Sequence, residues 1–275
     1  DRLISYLPLA HVFERAFIEV AAFVGSPRVF FADTLDSFVQ DVRRARPTLF
    51  ISVPRLWVKF QHGVLHKMPQ KKLDLLLKIP ILNNIVRRKI LDGLGLDQVR
   101  LAGSGSAPIP HEVIAWYRRL GLNLMEGYGM TEDFAYSHVS RVDAHAPGHV
   151  GIPYPGVEVK ISENGEVLIN SPGKMVGYYK QPELTAESFT EDGFFRTGDL
   201  GERDHTGLLK LTGRAKELFK TAKGKYVAPA PIENLLGENP LIETVMVSGV
   251  GQPAAYALVV LAEEVRPTTS DPAVR

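Results

Sequence analysis

Thr131 and Glu132 stand side by side at the end of Gly127-Tyr128-Gly129-Met130-Thr131-Glu132. A hydroxyl can hydrogen-bond a phosphate oxygen, and a carboxylate can hold a hard cation such as Mg²⁺. Gly127 and Gly129 bracket Tyr128, so the backbone there can turn sharply and pass close to a ligand. An ordinary strand-end turn is the alternative for this stretch taken alone. Phe195-Arg196-Thr197-Gly198-Asp199 sets a carboxylate after a glycine, where it can accept two ribose hydroxyls or cap a turn. Arg214, in Gly213-Arg214-Ala215-Lys216-Glu217, carries a fork of donors suited to phosphate or ribose oxygens. An exposed basic turn is its plainer reading. Lys220, Lys223 and Lys225 surround Gly224 and can attract a polyanion such as the phosphates of coenzyme A, or form a solvated loop. His11, at a strand-to-helix junction, can orient a carboxylate or cap the helix.

Other candidates carry less. His145 and His149 are separated by Pro147 and Gly148 and do not make a helical metal pair. Ser104 and Ser106 lack a nucleophile elbow, and Gly103-Ser104-Gly105-Ser106-Ala107-Pro108 better suits a close backbone approach to a flat ring.

These residues need a scaffold. Thr48 to Val53, Val99 to Ala102 and Leu122 to Met125 read as strands separated by helical stretches, so the spacing predicts βαβ units and a mostly parallel, helix-covered sheet. Ligands of such sheets sit beyond the carboxyl ends of the strands. The loops 103–108 and 127–132 both leave such ends and can flank one ligand. Apolar spacing from His11 to Val24 predicts a helix, and Thr34 to Arg44 another, with Thr34 as its cap. From Leu73 to Leu94 the chain is basic, leucine-rich and broken at Pro80; these leucines suit a core, with a membrane-facing helix as the alternative.

After Pro147 the pattern changes. Val157 to Ile161 and Glu166 to Ile169 flank Glu163-Asn164-Gly165 as a hairpin, which predicts a small antiparallel, barrel-like subdomain. A helix from Pro231 and strands Val245 to Val250 and Tyr256 to Leu261 predict the start of a small α+β module. The expected division is 1–147, 148–216 and 217–275. The 275 residues carry a net charge of +1 and no cysteine. That gives no reason to expect nucleic acid as a partner, excludes disulfides and thiolate metal sites, and fits a cytoplasmic protein. No apolar run approaches the ~20 residues of a membrane span.

The order of these pieces resembles the adenylate-forming enzymes, specifically the long-chain fatty acyl-CoA synthetases. Pro8-Leu9-Ala10-His11-Val12-Phe13-Glu14-Arg15 and Ser52-Val53-Pro54-Arg55 are similar to segments of that subgroup. The loop Gly103–Pro108, the run Tyr128–Glu132, Arg196-Thr197-Gly198-Asp199, Gly213–Glu217 and Gly224-Lys225-Tyr226-Val227-Ala228-Pro229 match further family motifs in the family's order. The resemblance spans nearly the whole chain. It implies ATP, Mg²⁺, a fatty acid and coenzyme A as reactants. Thr131 would contact the α-phosphate and Glu132 would hold Mg²⁺. Tyr128 and Gly129 would line the adenine pocket beside Gly105, Ser106, Ala107 and Pro108. Asp199 would take the ribose hydroxyls, Arg214 ribose or phosphate, and His11 would lie near the acyl carboxylate. Lys216 would be the hinge of a mobile C-terminal domain, and Lys220, Gly224 and Lys225 would face coenzyme A. The implied reaction forms acyl-AMP and pyrophosphate, then acyl-CoA and AMP. Neither the family's phosphate loop ending in Pro-Lys nor its C-terminal catalytic lysine is found, so the expectation is a fragment, inactive alone. The rival readings are a ligase for another carboxylic acid and a non-catalytic AMP-binding module.

Overall fold

The protein is described by a computed structural model covering residues 1–262 except 35, 238 and 240, together with 265 and 266. The chain divides into two compact units, Asp1–Glu158 with Asn170–Ala186, and Val159–Ile169 with Glu187–Arg275.

In the first unit, β1 (Arg2–Ser5) pairs in parallel with β2 (Arg28–Phe31). A five-stranded sheet comes next, in the order β3 (Leu49–Ser52), β4 (Leu101–Ser104), β5 (Leu124–Tyr128), β6 (His138–Val139) and β7 (Ile152–Pro153). The first three strands are parallel and the last two antiparallel. Parallel neighbours require a crossover, and helices supply it. Pro54–Lys67, Gln70–Lys78 and Pro80–Leu94 join β3 to β4, and His111–Arg119 joins β4 to β5. Prolines open two of these helices at a position where the missing N–H costs nothing. The core between helices and sheet is aromatic. Phe50, Trp57, Phe60, Trp116 and Tyr117 are all buried. Trp57 meets Tyr117 edge-on, with ring centroids 4.8 Å apart. Its indole Nε1 donates to the Gly103 carbonyl at 3.1 Å, and Tyr117 Oη donates to the Trp57 carbonyl at 2.8 Å. This pair of polar handles pins the start of the 103–108 loop to the helical layer.

Two expectations are corrected here. The segment from His11 to Val24 is not one regular helix: α-helical Val12–Glu14 and Val20–Gly25 enclose a π turn, Arg15–Glu19. A π turn inserts a residue into the helical repeat and rotates the succeeding turns about the helix axis. Phe13, before the turn, is buried, whereas Val20 and Val24, beyond it, are exposed. Thr34 is not a helix cap. The helix begins at Phe38, and Thr34 Oγ1 accepts from Ser37 N at 3.1 Å in the preceding turn.

The second unit contains an antiparallel sheet ordered β11-β10-β9-β8, formed by β8 (Glu158–Ile161), β9 (Glu166–Asn170), β10 (Phe195–Arg203) and β11 (Leu209–Arg214). Its hairpin turns at Gly165, with φ of 83°. The sheet is open rather than barrel-like: four strands leave β8 and β11 as edges among the described residues. Beyond it, β12 (Phe219–Lys220) pairs with β13 (Tyr226–Val227), and β14 (Ile242–Ser248) with β15 (Tyr256–Leu261). Helix Pro229–Gly237 is tied to β14 by Glu233, whose Oε1 accepts from Val247 N at 2.7 Å.

Candidate functional site

The two loops singled out in the first unit do lie side by side. Parallel pairing places Ser104, the last residue of β4, opposite Glu126, two residues before β5 ends, so both loops leave the same edge of the sheet. A Cβ built on Gly105 would stand 3.4 Å from the Gly127 carbonyl oxygen, which is van der Waals contact. Ser106 holds a left-handed φ of 69°, a conformation that costs a non-glycine residue about 1 kcal/mol or more. Ser106, Ala107 and Pro108 are exposed, and Ile109 turns back into the core. Ile109 N donates to Glu126 Oε1 at 3.4 Å, which ties the first loop to the strand that carries the second. Burial pushes the Glu126 carboxyl up to about 7, against that one backbone N–H. The Ser104 hydroxyl is buried beside it without a partner.

Gly127 and Tyr128 belong to the strand rather than the loop, paired with Val139 and His138. The Tyr128 and His138 rings lie 5.9 Å apart. Gly129 is a point of close approach: a Cβ there would meet Ala135 Cα at 2.7 Å and its carbonyl carbon at 2.8 Å. Thr131–Asp133 then forms one 3-10 turn, closed by Asp133 Oδ1 accepting from Met130 N at 2.9 Å. Phe134 and Ala135 both adopt left-handed φ, 57° and 56°, and bend the chain back. This leaves Thr131 exposed and Glu132 half-buried. Tyr178 Oη donates to Glu132 Oε1 at 2.9 Å, and Met175 N donates to the Glu132 carbonyl at 2.6 Å. Asp133 is buried, and burial raises its carboxyl to about 6 against opposing backbone N–H groups led by Met130.

Among the described residues no group of three or more His, Cys, Asp or Glu side chains forms a closed metal cage. Glu132 beside the Thr131 hydroxyl is instead a one-carboxylate donor set. That suits Mg²⁺, which usually takes one or two carboxylates and completes its shell with phosphate and water.

His11 caps the first helical turn, Nδ1 accepting from Phe13 N at 3.2 Å. Its neighbour Glu14 is fully buried and accepts from the Ser5 hydroxyl and, at 3.4 Å, from Leu7 N. His145 and His149 bond backbone carbonyls of their own loop, Arg141 O and Pro147 O.

In the second unit, Asp199 and Arg214 face each other across β10 and β11. Arg214 Nε donates to Asp199 Oδ1 at 3.0 Å. Gly198 bends β10 with φ of 71°, and Thr197 Oγ1 accepts from Asp199 N at 3.0 Å. Glu166 Oε1 takes the Gly198 N–H at 3.0 Å. Lys216 sits exposed in the 3-10 turn Ala215–Glu217 just after β11. Lys220, Gly224 and Lys225 lie in the β12–β13 hairpin, which turns at Gly224 with φ of 78°. Lys220 Nζ stands 5.3 Å from the Tyr226 ring centroid, and Lys225 is exposed.

Two residues of the site, Tyr178 and Glu126, do not stand out in the sequence. Tyr178 meets Glu132 from 46 positions downstream, and no spacing signals that contact. Glu126 has a usable signal: a carboxylate inside the apolar run Leu122 to Met125 and its continuation.

Paired loops at the carboxyl end of a parallel sheet, together with a small antiparallel sheet downstream, define an adenylation-type fold. The structure matches the didomain of a carboxylic acid reductase from Segniliparus rugosus solved with AMP, with a TM-score of 0.79 and 27% identity over 100% of this chain and 39% of that one. The AMP-binding enzyme family model matches residues 1–179, and the AMP-binding enzyme C-terminal domain model matches 217–275. The chain belongs to the AMP-binding enzyme family. It is 35% identical to the long-chain-fatty-acid–CoA ligase FadD15 of Mycobacterium bovis, over 96% of this chain and 48% of the relative. It is also 35% identical to long-chain-fatty-acid–CoA ligase 5 of Rattus norvegicus, over 90% of this chain and 41% of the relative. The chain thus spans about half the length of the curated relatives it matches.

Proposed function

We propose that this chain carries the adenosine and α-phosphate grips of an AMP-forming long-chain fatty acid–CoA ligase. The observation that carries the reading is the close approach of the loop after β4 to the end of β5 at Gly127, with Thr131 exposed just beyond it and Glu132 held by Tyr178. Relatives named as long-chain-fatty-acid–CoA ligases support the acid class. The proposed division is 1–147 and 148–216 for the large domain and 217–275 for a mobile C-terminal domain, with Lys216 as the hinge.

In the first unit, the exposed backbone of Gly105 to Pro108 and the Tyr128 ring offer a flat, mostly neutral surface for adenine. The Thr131 hydroxyl donates to an α-phosphate oxygen, and Gly129 lets the chain pass closely enough to bring it there. Glu132 would hold Mg²⁺, which supplies neutralisation of phosphate charge. In the second unit, Asp199 has the carboxylate to accept two vicinal ribose hydroxyls, and Arg214 has donors for ribose or phosphate oxygens. His11, with Nδ1 engaged by Phe13 N, would turn Nε2 toward the acyl carboxylate. Lys220, Gly224 and Lys225 are assigned to coenzyme A.

The proposed chemistry balances in two steps. A fatty carboxylate oxygen attacks the α-phosphorus of ATP, and the bond to pyrophosphate breaks. The thiolate sulfur of coenzyme A then attacks the acyl carbonyl carbon, the bond to AMP breaks, and the thiol proton goes to solvent. Titration calorimetry of this polypeptide with AMP, with and without Mg²⁺, tests the nucleotide reading. Saturable binding lost in Thr131→Ala is expected, and no binding of AMP to the folded chain would sink it. A second reading keeps the fold and changes the acid, favoured by the likeness to the carboxylic acid reductase. A panel of fatty, aryl and short-chain acids on the full-length enzyme separates the two.

A further inference from the structure

The strand that carries Asp199 does not pair evenly with its neighbour. β9 and β10 meet at Leu168 with Arg196 and again at Glu166 with Leu200, and the register shifts between the two pairs. Residues 197–199 of β10 thus face the single residue Val167 of β9. Extra residues on one strand form a bulge, which takes backbone groups off the ladder and re-aims a side chain. Here side chains take up those groups. Thr197 Oγ1 donates to the Val167 carbonyl at 2.7 Å and accepts from Asp199 N at 3.0 Å. Glu166 Oε1 accepts from Gly198 N at 3.0 Å, and Glu166 Oε2 lies 3.7 Å from Arg196 Nη1. A Cβ on Gly198 would meet nothing within 4 Å, so the glycine serves its left-handed φ of 71° and not packing. Glu166 is itself fixed by the hairpin turn. Its N–H donates to Ser162 Oγ at 2.9 Å, and its carbonyl accepts from Ser162 N at 2.9 Å. All of these residues belong to the second compact unit.

Asp199 closes the bulge and stays in register with Arg214 on β11. Glu166 grips the backbone one residue upstream of it, with a carboxylate, which makes a stronger bond to an N–H than a neutral acceptor does. We propose that Glu166 is a positioning residue for nucleotide selection: by holding the Gly198 N–H it sets the bulge that aims Asp199 at the ribose, and so governs the preference for a ribonucleotide over a deoxyribonucleotide. This rests on the ribose role proposed for Asp199. A Glu166 that only held the sheet together would affect every nucleotide alike. A positioning Glu166 affects those ligands that carry the hydroxyls Asp199 receives, because small misplacements of an orienting group are felt only by what it orients.

Calorimetry with AMP, 2′-deoxy-AMP and 3′-deoxy-AMP, on the parent chain and on Glu166 variants, tests the proposal. The parent is expected to bind AMP more tightly than either deoxynucleotide. Glu166→Ala should weaken AMP at least about ten-fold, the usual effect of losing a hydrogen bond to a charged group, and leave both deoxynucleotides within about two-fold of the parent. Glu166→Gln keeps an acceptor for Gly198 N and should hold AMP affinity near that of the parent. Glu166→Asp keeps the charge but is one methylene shorter, so it should repeat the loss seen with alanine, and it carries the test if the alanine variant does not fold. Unchanged deoxynucleotide binding shows that the site is intact. The proposal is overturned if all three nucleotides weaken equally, or if the preference for AMP survives in both Glu166→Ala and Glu166→Asp. A parent that binds the three nucleotides equally would instead remove Asp199 from the ribose role, and this proposal with it. A parent that binds none of them would sink the nucleotide reading as a whole.

Discussion

Arg214, the last residue of β11, is the cross-strand partner of Asp199 in the middle of β10, and the guanidinium Nε donates to a carboxylate that is almost completely buried. The pair is asymmetric, since the arginine side chain is 65% exposed and the aspartate 11%. Arg214 therefore fixes the orientation of Asp199 from the solvent side. A carboxylate has about four lone-pair sites, and the Arg214 bond takes one of them. Asp199→Ala is expected to weaken AMP binding by about 10–100-fold, the range for losing hydrogen bonds to a buried charge. Calorimetry with AMP checks this, and unchanged affinity would remove Asp199 from the ribose role.

Glu132 is the proposed cation ligand, and Tyr178 holds one of its oxygens. Tyr178→Phe should shift the Mg²⁺ midpoint for nucleotide binding by roughly five-fold, the worth of about 1 kcal/mol. Affinity without Mg²⁺ should stay as it is. Glu132→Gln should abolish the Mg²⁺ dependence. A Mg²⁺ titration monitored by nucleotide fluorescence distinguishes these outcomes, and an unaltered Mg²⁺ response in Glu132→Gln would place the cation elsewhere.

Two glycines give opposite expectations on alanine substitution. At Gly129 the new Cβ would strike the Ala135 backbone at 2.7 Å, so Gly129→Ala should destabilise by at least about 2 kcal/mol. At Gly63, inside helix Pro54–Lys67, a Cβ meets nothing within 4 Å, and Gly63→Ala should stabilise by about 0.5–1 kcal/mol. Urea unfolding of the two variants measures both signs.

Glu126 predicts a pH dependence. Burial lifts its carboxyl from an ordinary 4.5 to about 7. Between those values the folded chain binds more protons than the unfolded one, so stability falls as pH rises through the window and the loss is complete above it. The size is about 3 kcal/mol, from 1.36 kcal/mol per unit. Glu126→Gln keeps an acceptor for Ile109 N and removes the titration, so the variant should be more stable than the parent at pH about 8 and similar at pH about 4.5. Asp133, raised to about 6, retains a slope of the same sign in the variant. Urea midpoints across this range that are parallel for both proteins would contradict the assignment.

Much of this was legible in residue types. The βαβ order, the two loops beyond strand ends, and the Asp199 and Arg214 candidates all come from apolar runs punctuated by Gly and Pro. Apolar spacing could not show the π turn at Arg15–Glu19, because a period of 3.6 fits the residues on either side of it equally well. Nor could it show Tyr178 against Glu132, a contact made by chain return over 46 positions. The antiparallel pairing after Pro147 was legible, but its openness was not, because strand runs reveal pairing partners and not closure.

The guanidinium of Arg214 touches both sides of the turn at the end of β11. It binds Asp199 behind the turn, and its Nη1 lies 3.9 Å from Glu217 Oε1 ahead of it. Residues 215 and 216 are thus bridged by a single side chain, like a clasp over a joint. A phosphate or ribose oxygen that recruits those N–H donors competes with Glu217 for them. On the proposed role of Arg214 in nucleotide binding, occupancy and the torsional stiffness of the turn at Lys216 would be one variable rather than two: filling the site would loosen the joint, and emptying it would let the clasp close again.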